Sequence, residues 1–169
     1  MIEEFKNVSE EKMDKVIAKA SNVKKNEDFY QKLRLKMKAF VDEHPNSKYL
    51  NFVIAAPDMF HLMCKLIIDT RVPVKSKFMV AGAITYFVSP IDILPDVVPG
   101  LGWVDDVFIA AKVINHLLDS VDKEFVLEHW AGDENVFNVI KHILELTEQV
   151  LDKEKIKKLL GSWTRNTIE

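Results

Sequence analysis

Apolar residues recur every three or four positions along most of this chain, the spacing that lines one face of an α-helix. Met13, Val16, Ile17, Ala20 and Val23 share such a face. Ser9 precedes them as an N-cap, and Glu10 and Glu11 meet the positive end of the helix dipole. "NVKKNED" interrupts the pattern. A second helix is predicted from about Asp28, carrying Phe29, Tyr30, Leu33, Met37, Phe40 and Val41. It stops before Pro45, because the residue ahead of a proline disfavours the α region. A third helix is predicted over 48–68, kinked or restarted at Pro57, and a fourth over 74–88. A fifth starts near Trp103 and carries Val107, Ile109, Ala110, Val113, Ile114, Leu117 and Leu118. "DSVDKEF" predicts a short sixth helix reaching Trp130. Gly132 and Asp133 open a seventh that runs through Val136, Ile140, Ile143 and Leu151, and "KEKIKKLLGSW" closes the chain. No stretch alternates apolar and polar residues long enough for a sheet. The pattern therefore predicts an all-α fold, a compact single-domain bundle of six to eight helices over residues 1–169. Residues 1–45 form an N-terminal helical hairpin arm in this reading, and 133–169 form C-terminal helices.

The connection between the fourth and fifth helices, "SPIDILPDVVPGLGWVDD" (89–106), breaks the regularity. Ser89 matches an N-cap, Pro90 the first helical position, and Asp92 the third position of a capping box. Pro95 ends or bends what starts there, and Pro99, Gly100 and Gly102 make a turn. Asp105 and Asp106 are expected in the first turn of the fifth helix. The result is a central helical hairpin joined by a Pro/Gly/Asp-rich turn. Residues 78–111 contain no Lys, Arg or His, so Asp92, Asp96, Asp105 and Asp106 have no local counter-charge. Carboxylates drawn into an apolar surrounding must be paired or bind a cation. Arg71, Lys75, Lys77 and Lys112 are the candidate ion-pair partners. The other solution is a divalent ion held by oxygen ligands, Mg²⁺, Ca²⁺ or Mn²⁺. The spacing is not that of an EF-hand loop. Asp58 and His61, three residues apart, place a carboxylate and an imidazole on one helical face. They suit a shared metal or an acid–base pair; alternatively Asp58 only opens a helix restarted after Pro57.

Composition narrows the function classes. Cys64 is the one cysteine, so no internal disulfide forms, and a reducing, cytoplasmic setting is expected. "MIEEFKN" is acidic and has no long apolar run, unlike a secretory signal. The longest uncharged run, 78–91, falls short of the roughly 20 apolar residues of a spanning helix. It reads as a buried helix, with a surface-inserted hairpin as the alternative. A net charge of -3 and three scattered arginines argue against nucleic acid as a partner. No P-loop, Gly-x-Ser-x-Gly or dinucleotide fingerprint appears, so catalysis by an activated nucleophile has no visible support. Lys153, Lys155, Lys157 and Lys158 accompany Ile156, Leu159, Leu160 and Trp163. Such a basic amphipathic tail either lies on an anionic membrane or packs its apolar side on the body.

The stretch "YFVSPIDILPDVVPGLGWVDDV" resembles the signature of the YkvA-like family, a bacterial domain of unknown function. Tyr86, Ser89, Pro90, Asp92, Pro95, Asp96, Pro99, Gly102, Asp105 and Asp106 carry the match, and residues 65–118 would be its core. The resemblance implies a small helical domain, often predicted to associate with membranes, and implies no reaction. The expected function is a non-enzymatic interaction or scaffold protein with a protein partner. It would sit peripherally at the membrane through its apolar hairpin and basic tail. The alternative is a divalent-cation-binding protein or metal-dependent hydrolase using Asp92, Asp96, Asp105 and Asp106, with help from Asp58 and His61.

Overall fold

Ser9 caps the first helix as its sequence predicts, its hydroxyl accepting from the Lys12 N–H. The computed structural model describes residues 5, 7–88 and 101–168, with the backbone alone over 101–103. Ser89, Pro90, Asp92, Pro95, Asp96 and Pro99 of the signature lie outside the described residues. Eight helices are described: α1 Glu10–Ala20, α2 Val23–Glu43, α3 Leu50–Ile68, α4 Val74–Val88, α5 Leu101–Ser120, α6 Lys123–His129, α7 Val136–Val150 and α8 Lys153–Ile168. There is no strand among the described residues.

Three boundaries differ from the sequence reading, two of them because an asparagine side chain caps earlier or later than the apolar spacing suggests. Helix α2 begins at Val23 rather than near Asp28, because Asn22 caps it through the Lys25 N–H. Buried Asn26 then donates to the Ala20 carbonyl and locks the α1–α2 turn. Helix α7 begins at Val136 rather than at Gly132, with the Asn135 side chain accepting from the Phe137 and Asn138 N–H groups. Helix α5 begins at Leu101, so Asp105 and Asp106 fall in its second turn, not its first. They are past the unbonded N–H groups of the helix start, where the dipole's pull on an anion is strongest. Pro57 sits inside a continuous α3, with no restart.

Helices α3, α4 and α5 form the centre and pack on one another. Helices α1 and α8 cover α4, α2 covers α3, and α7 covers α5. The apolar run of α4 is buried against these neighbours, including Phe78, Met79, Val80, Ala83 and Phe87, so within this fold it is core. The tail takes the second of its two sequence readings. Trp163 is fully buried and meets Phe5 edge-on at 5.5 Å, while Lys153, Lys155, Lys157 and Lys158 stay exposed. Its tryptophan is used for packing and is not offered to a membrane.

The order of turns gives the bundle two poles. Ser76, at the start of α4, lies 3.4 Å from Ser120, at the end of α5, so the central hairpin is antiparallel. Val23 and Ile68 line one cavity, and Arg71 bonds Glu128 of α6. The α1–α2, α3–α4 and α5–α6 turns therefore share one pole. The α2–α3 turn and the two ends flanking residues 89–100 are at the other.

Candidate functional site

At the turn-rich pole, "DTR" (69–71) builds a polar knot. Asp69 follows the last residue of α3, and its carboxylate accepts from the Arg71 backbone N–H at 2.9 Å. It also accepts from Arg71 Nε at 2.9 Å and Nη2 at 2.6 Å. Arg71 Nη2 reaches Glu128 Oε2 at 2.7 Å, and the guanidinium lies 3.9 Å from the Phe125 ring centre. His129 Nε2 meets Asp69 Oδ2 at 2.8 Å. The planar guanidinium fork suits this pairing with two carboxylates over an aromatic face. The Arg71 hydrogen bonds, and then that of His129, hold the Asp69 carboxyl well below the usual carboxylate range. Arg71 lowers Glu128 in the same way. The knot ties short helix α6 to the α3–α4 turn.

Arg71, a predicted ion-pair partner of the hairpin aspartates, bonds Asp69 and Glu128 at the turn-rich pole; Asp92 and Asp96 lie outside the described residues. Lys75 and Lys77 flank Ser76 at that same pole. Asp105 lies 15 residues before Ser120, or about 22 Å along α5 at the usual rise. Neither lysine reaches Asp105 or Asp106. Lys112, the remaining candidate, extends toward the Phe108 ring at 6.0 Å. Asp105 is fully buried beside Val104, Val107 and Phe108, and Tyr86 is buried at the adjoining end of α4. Gly102 lies in the first turn of α5.

Asp58 and His61 do share the outer face of α3, together with Ile54, Lys65 and Ile68. Burial raises the Asp58 carboxyl, opposed by the charge of His61 and supported by that of Asp133. Burial and then Lys65 lower His61, favouring a neutral imidazole. Its ring lies 5.3 Å from that of Tyr30, and its Nδ1 is buried with no hydrogen-bond partner among the described residues. His61, Lys65 and Ile68 separate two clefts. The first, about 70 Å³, opens toward α2 and includes Glu27, Tyr30 and Cys64. The second, about 510 Å³, opens toward α6 and includes Asp69, Glu128, His129 and Trp130. Burial pushes the Cys64 thiol up to about 12, so it stays protonated and unreactive at neutral pH.

No three His, Cys, Asp or Glu side chains among the described residues are grouped to hold a metal. The four-aspartate cluster is described only at Asp105 and Asp106, since Asp92 and Asp96 lie outside the described residues. Sequence reasoning missed the knot of Asp69, Arg71, Glu128 and His129. The Asp-x-Arg spacing was its one local signal; Glu128 and His129 join it only through the tertiary fold.

Residues 76–111 match the family described as "Protein of unknown function (DUF1232)". Over 43 residues, a quarter of this chain, the sequence is 46% identical to the "Uncharacterized membrane protein YkvA" of Bacillus subtilis, covering 41% of that protein. Over 109 residues, 64% of this chain, it is 23% identical to the "Uncharacterized protein ORF9" of Methanothermobacter thermautotrophicus, covering 75% of that protein. Together these support a YkvA-like relation for the α4–α5 region. No solved structure matches the chain.

Proposed function

We propose that this protein, with its YkvA-like central hairpin, is a non-enzymatic docking protein that works peripherally on the cytoplasmic face of a membrane. The observation that carries this reading is the exposure of four aliphatic side chains, Val23, Ile68, Val74 and Leu127, at the turn-rich pole. Exposed apolar groups gathered at one end are a signature of interaction surfaces. Lys24, Lys25, Lys65, Lys75 and Lys123 are exposed around the same turns, and lysines of this kind favour anionic headgroups. The membrane character given by name to the Bacillus relative supports the same setting. Helix α3 is long and apolar enough to cross a membrane by composition, but 61% of its most apolar window is buried in the bundle, so the reading is peripheral. Flotation with vesicles of anionic phospholipid at low salt tests it. The wild-type chain is expected to float, and Val74→Glu with Leu127→Glu to stay at the bottom. A wild-type chain that does not float refutes the membrane setting.

A second reading rests on the four aspartates that stand close together in the sequence, Asp92, Asp96, Asp105 and Asp106. A divalent cation shared by Asp92, Asp96, Asp105 and Asp106 would neutralise carboxylates in an apolar surrounding. The metal-dependent hydrolase reading stands or falls with this cation. Calorimetric titration with Mg²⁺, Ca²⁺ and Mn²⁺ decides it: heat that disappears in Asp105→Asn supports it, and no heat rejects it.

A further inference from the structure

The outer stripe of α3 reads nearly the same in both directions. Ile54, Asp58, His61, Lys65 and Ile68 follow one another at steps of three or four residues, which places them along one face of the helix. Reversing the stripe end to end sets Ile54 on Ile68, Asp58 on Lys65, and His61 on itself, each within one residue. Ile54 and Ile68, near the two ends of the stripe, are 47% and 50% exposed. Lys65 is exposed, and neither Asp58 nor Lys65 has an ion pair among the described residues. Asp58 is partly desolvated, and the buried Nδ1 of His61 has no partner among the described residues.

We infer that this face binds a second copy of the chain, α3 against α3 and antiparallel, around a two-fold axis passing near His61. A two-fold contact needs a self-complementary patch, and this stripe supplies one. Each Asp58 meets the partner's Lys65, and each Ile54 covers the partner's Ile68. The two partly exposed imidazoles meet at the axis. The clefts on either side of the His61–Lys65–Ile68 ridge give the flanks of the opposing ridge room to settle. A bilayer fits this face poorly, because Asp58, His61 and Lys65 occupy its middle and would have to leave water unpaired. This face shares Ile68 and Lys65 with the membrane-facing pole, so the two readings are told apart by testing the membrane surface at Val74 and Leu127 and this one at Asp58 and Lys65.

Charge reversal tests it on the full chain by sedimentation equilibrium. The wild type is expected to dimerise. Asp58→Lys alone and Lys65→Asp alone each place like charges opposite one another twice per dimer, and each is expected to raise the dissociation constant by about tenfold or more. Mixing these two single variants brings opposite charges together again, so the mixture is expected to form a heterodimer. Hydrogen exchange of the wild type supplies a check that needs no variant: residues 54–68 are expected to gain protection as concentration rises. A wild-type chain that stays monomeric at about millimolar concentration overturns the proposal. So does a dimer indifferent to both reversals, or one whose concentration-dependent protection lies elsewhere.

Discussion

Asp69 shows what one side chain at a helix end can do. It follows α3 directly, accepts hydrogen bonds from Arg71 and His129, and thereby fixes both the α3–α4 turn and the C-terminal end of α6. Its folded-state pKa lies below the ordinary 3.8 because those donors favour the charged form, Arg71 first. A carboxyl shifted downward stabilises the fold fully above its unfolded pKa. That contribution fades as pH falls from about 4 toward the folded value. Melting temperature measured between about pH 7 and pH 2.5 should therefore fall less steeply below about pH 4 in Asp69→Asn than in the wild type. Parallel acid curves would remove Asp69 from the account of acid stability. Cys64 is the opposite case: burial keeps it protonated, and its position at the edge of a cleft confers no reactivity.

At the scale of elements, α4 lies among α1, α3, α5 and α8, and at Gly82 it comes close to α8. A Cβ added at Gly82 would stand 2.6 Å from Thr167 Cγ2. Thr167 cannot easily yield, since its hydroxyl donates to the Trp163 carbonyl at 2.8 Å and its side chain is buried. Gly82→Val should cost about 1–3 kcal/mol through overpacking. Gly161 lies inside α8 with nothing within 4 Å of an added Cβ, so Gly161→Ala should gain about 0.5–1 kcal/mol from helix propensity. Thermal melts of the two variants should move in opposite directions; a Gly82→Val melt equal to the wild type would mean that α4 and α8 are less closely packed than described. The helices themselves were legible in the sequence, because the apolar spacing of Met13 to Ala20 or of Val107 to Leu118 has one helical solution. Boundaries set by Asn22 and Asn135 were less so, since each competed with an equally plausible breaker nearby. The destination of Arg71 was not legible. Local sequence showed a charge-poor hairpin and a nearby cation, whereas the fold carried that cation to the opposite pole and paired it with Glu128, 57 residues away.

On the scale of the whole molecule, the described apolar helices α4 and α5 and the tryptophan of the basic tail are spent on the core. Exposed among the described residues are a pole carrying Val23, Ile68, Val74 and Leu127, the side chain of Leu35 on α2, and, along α3, a stripe that is its own complement. The central claim is that the first of these meets the bilayer. An environment-sensitive fluorophore attached at Val74→Cys, in a Cys64→Ala background, measures this directly. The control places it at Asn46→Cys, an exposed position in the α2–α3 turn at the far pole. On adding anionic vesicles, emission should shift to the blue at position 74 and stay unchanged at position 46. A blue shift at 46 alone, or at neither position, would contradict the account.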